Sequence, residues 1–504
     1  LVLNASIITT MPIQDLSVEL MEHILGYCAE SDLLSVLLTC QGLKGLIEPL
    51  LYENIDFSIR RGPKINHYSS ILKQPFQLLL RSLLHRPSLG IHVKRLTLPT
   101  RESWGDFKFA PIDLQAAARR GSEVTPTKNE QWIGALKEEC TAPLYRQAVL
   151  VLLLSYFDNL QSLTLLADPC HVSEEMGTSI LRKIGKASLF ALALSKLQEL
   201  KEVAYLADFI PNIERGPISY RSALIQTIYS LPRIELLTLT VGYSSNGGTG
   251  DYQPRLPNIS HFSLSGNTSY ATTTEASLID LVTPTVKTLR LVECQVEEKA
   301  IGSLLNWSPK ITSLELGLLG NCVEPVPFSF LDCTELGAQI GHQSRKRHLE
   351  HLTISVDFYD EGAGFPELGG PFGVPGLNPY RWGLKGSIGD SFKDFTALKT
   401  LEIDLPVLLG WYPDRAKSLA EVLPSSLEEL RIQTNFDDWD SCLWRLPVII
   451  NLIKGYLGGG VTGNLRNIIY FSDSYSNLLY KEILDDCKKL CMESRIRFHS
   501  LEYW

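Results

Sequence analysis

Three short stretches carry residue types that could do chemistry. Gly458-x-Gly460-x-x-Gly463 has the spacing with which a glycine-rich turn lets backbone N–H groups approach a pyrophosphate. Cys487-x-x-x-Cys491 with His499 offers two thiols and an imidazole to a soft metal such as zinc. Arg345-Lys346-Arg347-His348 is a basic cluster of the kind used as a nuclear address or a solvated face. The elements that must position these groups argue against the first two. A dinucleotide fingerprint needs a strand before it and a helix after it, so that the helix N-terminus faces the phosphates. Here the helical-looking "PVIINLIKGYL" precedes and the strand-like "LRNIIYF" follows. The setting "LLYKEILDDCKKLCME" puts both thiols on one helix face, and no second close pair completes four ligands. GxxxxGK[ST], HExxH and GxSxG motifs are absent. No pair of carboxylates stands out as a general acid and base, so no catalytic residue, cofactor site or metal site is nominated.

A chain without nominated chemistry is read as a binding protein, and its bulk properties limit what it binds. With 504 residues it is several domains or one repetitive one. Its net charge of −9 lacks the basic excess that displaces counterions from a nucleic acid, which is therefore not expected as a partner. No run reaches the ~18 apolar residues of a membrane span; Ala148 to Leu154 is the best and is far shorter. The ten cysteines are scattered, which favours a reducing compartment, cytoplasm or nucleus, over a disulfide framework. Residues 1–11 read as a leader outside the fold, with Met11 a candidate initiator.

The head of the chain has an excess of apolar side chains. Ser17 caps a helix through Glu19, Leu20, Met21, Ile24 and Leu25. Ser31 and Asp32 offer a second cap before "LLSVLLTC", and Pro49 is expected to limit a third helix. Leu33, Leu34, Val36, Leu37, Leu38 and Cys40 sweep an arc of roughly 200°. One core uses about half of that. The surplus must rest either on the rest of this chain or on another protein.

The order of residues bears on that choice. "MPIQDLSVELMEHILGYCAESDLLSVLLTCQGLKGLIEPLLYENIDF" resembles the F-box found at the N-terminus of fungal F-box proteins, through Leu16, Glu19-Leu20, Ile24-Leu25, Asp32-Leu33-Leu34, Leu38-Thr39-Cys40, Leu43 and Pro49-Leu50-Leu51-Tyr52. The family usually has Leu-Pro where this chain has Leu16-Ser17. The resemblance implies a small helical unit over 12–57 that binds a Skp adaptor and, through it, a cullin. Leu16, Leu20, Ile24, Leu25, Leu33, Leu34, Leu37 and Leu38 are the implied adaptor contacts. A helical linker over 58–90 is expected to follow.

Downstream, an apolar residue followed by xxLxL recurs eleven times, from "VKRLTL" at Val93 to "LRNIIY" at Leu465. The central spacings of 25, 27 and 25 residues fall within those of leucine-rich repeats. Asn267, Cys294 and Asn435, with Asp168, Asp208, Asp357 and Asp473, stand where the chain turns off the strand and a short polar side chain can satisfy freed backbone N–H groups. Helical spacing in "YRSALIQTIYSL" and "EKAIGSLLNW" completes a strand–helix repeat. The expected fold class is α/β: a helical F-box, then over 91–504 an irregular leucine-rich solenoid, a curved parallel sheet with outer helices. A compact α/β enzyme is the competing architecture. Insertions are expected at 99–130 and 356–395, the second rich in glycine, proline and aromatics such as Phe365, Phe372, Tyr380 and Trp382. The exposed strand row runs through Thr238, Ser263, Arg290, Glu315, Thr353, Glu402 and Arg431, with Asp404 and Glu429 nearby. Arg290, Glu315, Glu402, Asp404 and Arg431 are the candidate target contacts. Together these features resemble an F-box protein of the leucine-rich type, a non-catalytic target-recognition subunit of a Skp–cullin–F-box ubiquitin ligase; a scaffold with no ligase role is the alternative.

Overall fold

A computed structural model describes residues 16–58, 75–98, 113–124, parts of 128–137, 147–166, 193–206, 227–242, 259–267, 282–294, 296–321, 331–342, 347–359, 384–433, 444–459, 463–472 and 480–502. The leader, Arg345-Lys346 and the four aromatics of the second insertion lie outside these residues. The chain divides into two compact units, one of residues 1–207 and 216–234, the other of 208–215 and 235–504.

The first unit opens with three helices, α1 (Val18–Leu25), α2 (Glu30–Thr39) and α3 (Lys44–Glu53). Strand β1 (Asn54–Asp56) follows α3 directly, before α4 (Pro75–His85), β2 (Arg95–Leu98), α5 (Leu114–Val124), α6 (Gln147–Leu154), β3 (Ser162–Leu165) and β4 (Glu202–Tyr205). Its strands pair in parallel in chain order, Ile55 opposite Leu96, Leu96 opposite Leu163 and Leu163 opposite Val203. The sheet thus begins inside the 12–57 segment rather than at residue 91. Helix α5 occupies part of the 99–130 segment expected to be an insertion.

In the second unit β5 (Leu236–Gly242), β6 (His261–Asn267), β7 (Thr288–Cys294), β8 (Ser313–Asn321), β10 (His351–Tyr359), β12 (Thr400–Asp404), β13 (Glu429–Gln433), β14 (Asn467–Ser472) and β15 (Arg497–Glu502) pair successively and in parallel. Two short strands, β9 (Leu331–Asp332) and β11 (Leu384–Lys385), pair with each other. Helices α7 (Glu298–Trp307), α8 (Cys333–Ile340), α9 (Leu405–Leu409), α10 (Leu419–Val422), α11 (Leu446–Gly458) and α12 (Lys481–Glu493) intervene. Parallel strands need such crossover connections, and helices supply them here.

Every motif repeat becomes a strand for one reason. Its three apolar residues are buried, as in Leu349, Leu352 and Ile354 or Leu427, Leu430 and Ile432. The residue after the first apolar position donates its N–H to its counterpart one repeat earlier: Lys287 to Ser260 O, Thr312 to Lys287 O, Glu350 to Thr312 O and Lys399 to Glu350 O, each at 2.8 Å. Each turn onto the sheet is thereby fixed to its neighbour before the strand starts. At the far end of β7, Glu293 is left-handed (φ 54°) and the register shifts. There the Cys294 thiol donates to Leu264 O at 3.6 Å and Val292 O at 3.2 Å. This polar position therefore serves freed carbonyls, where the sequence suggested freed N–H groups. The side chains of the other six residues assigned that role lie outside the described set.

Removing a buried motif leucine should be costly and removing its outward neighbour should not. Leu352→Ala is expected to lose about 2–5 kcal/mol of unfolding free energy by chemical denaturation, and Thr353→Ala about 0.5 kcal/mol or less. Equal losses would mean that the two faces of β10 are misassigned.

Candidate interaction surfaces

The N-terminal helices are built around a small core. Ser17 Oγ accepts the Leu20 N–H at 3.3 Å and caps α1 as the sequence suggested. Helix α2 begins at Glu30 with Ala29 before it, so Ser31 and Asp32 are in its first turn rather than at its cap. Pro49 sits inside α3, which continues to Glu53. Met21, Leu25, Leu33, Leu43 and Ile47 form the buried centre, with Leu16, Val36, Leu37, Leu50 and Leu51 packed partly against it.

That core divides the eight implied adaptor contacts. Leu25 and Leu33 are buried in it and offer no surface, and Leu16 and Leu37 are partly buried at its margin. Leu20, Ile24 and Leu34 are 41–50% exposed and Leu38 is 78% exposed. Leu20 and Ile24 are four residues apart on α1, Leu34 and Leu38 four apart on α2, so each pair shares one helix face. Val18 at 50% and Tyr27 at 81% exposure extend the apolar surface and were not singled out from sequence. Tyr27 lies three residues beyond Ile24, a helical spacing that would have found it; its ring meets His23 edge-on at 5.0 Å. Burying a fully exposed leucine is worth about 1.5–3 kcal/mol, and covering a half-exposed one about half of that.

Helix α3 is tied to the repeat sheet by covalent continuity into β1 and by side chains. Arg86 donates to both carboxylate oxygens of Glu48 at 2.8 Å, and Lys94 Nζ pairs with Glu53 at 2.9 Å. The Arg86 hydrogen bonds hold the Glu48 carboxyl below the usual glutamate range, against the opposing effect of burial. Two attachments on successive turns of α3 fix it to the first repeat.

In the outward strand row Arg290 is exposed and Thr238, Ser263, Glu315, Thr353, Glu402 and Arg431 are half-buried, and its charges are already engaged. Arg290 and Glu315 face each other on β7 and β8 and pair at 2.8 Å. On β12 and β13, Arg431 Nη1 lies 3.3 Å from Glu402 and Arg431 Nε donates to Glu429 at 2.6 Å. Gln433 Nε2 donates to Glu402 at 2.7 Å and Asn467 Nδ2 to Glu429 at 3.1 Å. Thr353 on β10 stands between these two groups. Asp404 is fully buried at the end of β12, immediately before α9, and is not part of the exposed row. Strand period alone put it outside, but the chain turns into a helix there and covers it.

The set-aside motifs also have their places. Gly458 ends α11 and Gly463 (φ 53°) makes a left-handed turn before β14, while Gly460 lies outside the described residues. Cys487 and Cys491 are buried on α12, where the hydrogen bond between them, with burial, pushes the Cys487 thiol up and draws the Cys491 thiol down. No group of three or more metal-ligand side chains occurs among the described residues. A concavity of about 480 Å³ in the first unit is lined by Ile91, Arg119, Arg120, Glu123, Tyr156 and Asp158 among others. There Arg120 pairs with Glu123, donates to Ser155 O and lies over the Tyr156 ring. Among the described residues no helix is long and apolar enough to cross a membrane. No protein-family model matches the chain, and no curated protein matches it.

The Glu48–Arg86 pair predicts a pH dependence. Its folded carboxyl is depressed, so its contribution is complete above the ordinary value of 4.5 and is lost as pH falls through the lower folded value. Arg86 is half exposed, so the difference between wild type and Glu48→Gln should be about 1 kcal/mol or less at neutral pH. Denaturant titrations at several pH values should show it vanish in acid; a gap that persists or grows there would contradict the pairing.

Proposed function

We propose that this chain is the target-recognition subunit of a Skp–cullin–F-box ubiquitin ligase. The observation that carries the reading is a folded N-terminal helical unit with a complete small core and, outside it, a second set of large apolar side chains left in water: Val18, Leu20, Ile24, Tyr27, Leu34 and Leu38. Such side chains on a soluble helix pair favour a partner with a complementary apolar groove. The F-box-like residue order identifies that partner as the Skp adaptor, which brings a cullin. The parallel repeat sheet presents polar rows to a target protein. The chain performs no bond chemistry; holding a target on the chain that also carries the adaptor-binding head raises its effective concentration beside the charged conjugating enzyme. Cytoplasm or nucleus is the compartment this role requires.

Two variant sets separate interface from core. Leu20→Asp, Ile24→Asp, Leu34→Asp and Leu38→Asp together should abolish capture of purified Skp adaptor while leaving the cooperative unfolding transition in place. Leu25→Asp or Leu33→Asp should disrupt the helical unit itself. Undiminished capture by the fourfold surface variant would remove the basis for the ligase assignment.

A further inference from the structure

Arg119-Arg120-Gly121-Ser122 places two arginines three and two residues before a hydroxyl, at the end of α5. Arg119 and Ser122 share one face of the helix, Arg120 and Glu123 another. Ser122 Oγ donates to Arg119 O at 2.8 Å. Arg120 anchors this helix end. Its Nη1 donates to Glu123 at 2.9 Å, its Nη2 donates to Ser155 O beyond α6, and its guanidinium stands 4.9 Å from the centre of the Tyr156 ring. Gly121 is buried against Trp132, whose ring a side chain at that position would strike. Glycine lends a helix little support of its own, so these contacts, rather than propensity, hold the end of α5. Arg119 and Glu123 are exposed there and Ser122 is half-buried. Helix ends open more readily than the body of a helix. Once the last turn opens, 119–123 is an extended segment that offers two guanidinium groups and a free hydroxyl.

We propose that Ser122 is a phosphorylation site for a protein kinase whose peptide groove carries carboxylates for the two arginines, and that the phosphate keeps the end of α5 open. A guanidinium is the group that carboxylates read most specifically, through paired hydrogen bonds. The kinase brings ATP with magnesium. A bond forms between the γ-phosphorus and Ser122 Oγ, the bond from that phosphorus to the bridging oxygen breaks, ADP leaves, and the hydroxyl proton passes to the kinase's base. The modified oxygen then has no proton to donate to Arg119 O. A group of charge about −2 also stands at the negative end of the helix, beside Glu123. Both effects disfavour the last turn. Arg119 attracts the phosphate whether the turn is closed or open, so it does not offset them. In the opened segment the phosphate draws Arg120 away from Glu123, Ser155 O and the Tyr156 ring, and α5 loses its anchor on the turn between α6 and β3. The site lies within the first unit; it goes beyond the proposed function and does not rest on it.

The test treats the native full chain with magnesium ATP and the catalytic subunit of the cyclic-AMP-dependent protein kinase, a probe that selects Arg-Arg-x-Ser, and maps phosphate by peptide mass spectrometry. The expected result is phosphate on Ser122, lost in Ser122→Ala. Arg119→Ala should be labelled roughly tenfold more slowly, the effect of removing one charge-assisted contact to the kinase. Hydrogen–deuterium exchange of the phosphorylated chain should be roughly tenfold faster over 119–124 and 155–158, with β2 and β3 unchanged. Unphosphorylated Arg120→Ala should show the same rise over 155–158. Labelling of Ser122 only after denaturation, no labelling there, or labelling indifferent to Arg119→Ala would each reject the site. A fully phosphorylated chain with unaltered exchange in α5 would reject the opening of the helix.

Discussion

The architecture depends on one joint, the parallel pairing of β1 with β2. Strand β1 is the direct continuation of α3, so the helical head and the repeat sheet share an element. A flexible tether would let the two move freely. A strand hydrogen-bonded into the sheet, with Arg86 gripping Glu48 one turn back, does not. Whatever α1 and α2 hold is thereby kept in a set relation to the first repeats.

The same joint shows where sequence was legible and where it was not. Eleven motif repeats became strands because period-two burial and the backbone link at the strand start are both written in apolar-xxLxL. Four described strands lie outside the motif: the short β9 and β11, and the sheet strands β1 and β15. Tyr52-x-x-Ile55-x-Phe57 fits the motif with other apolar residues, but those positions also serve the head, and one segment was given one job. In β15 only one residue separates Ile496 from Phe498, and Ser500 takes the last apolar position, so the pattern is broken although Phe498 aligns with Ile468. Left-handed Arg495 (φ 60°) marks the turn that leads into this shortened repeat.

Which side chains of the head are available was less legible. A wide apolar arc says that a helix has two apolar sides, not which of them its own core takes. Leu33 and Leu34 are adjacent and chemically identical, yet one is in the centre and the other is half in water. The outward charges had the complementary problem. Alternation puts Arg290, Glu315, Glu402 and Arg431 on the face opposite the buried leucines, but only cross-strand register shows that they pair with one another. It also shows that carboxylates outnumber the cation on β12 and β13.

A surface left apolar by a head too small to cover it, on a chain whose repeat strands carry outward polar rows, is the physical content of the functional proposal. Hydrogen–deuterium exchange of the full chain with and without purified Skp adaptor tests it most directly. The account predicts slowed exchange over α1 and α2, with amides of β12 to β15 unchanged. No protection in those two helices at saturating adaptor, or protection confined to the repeat sheet, would contradict it.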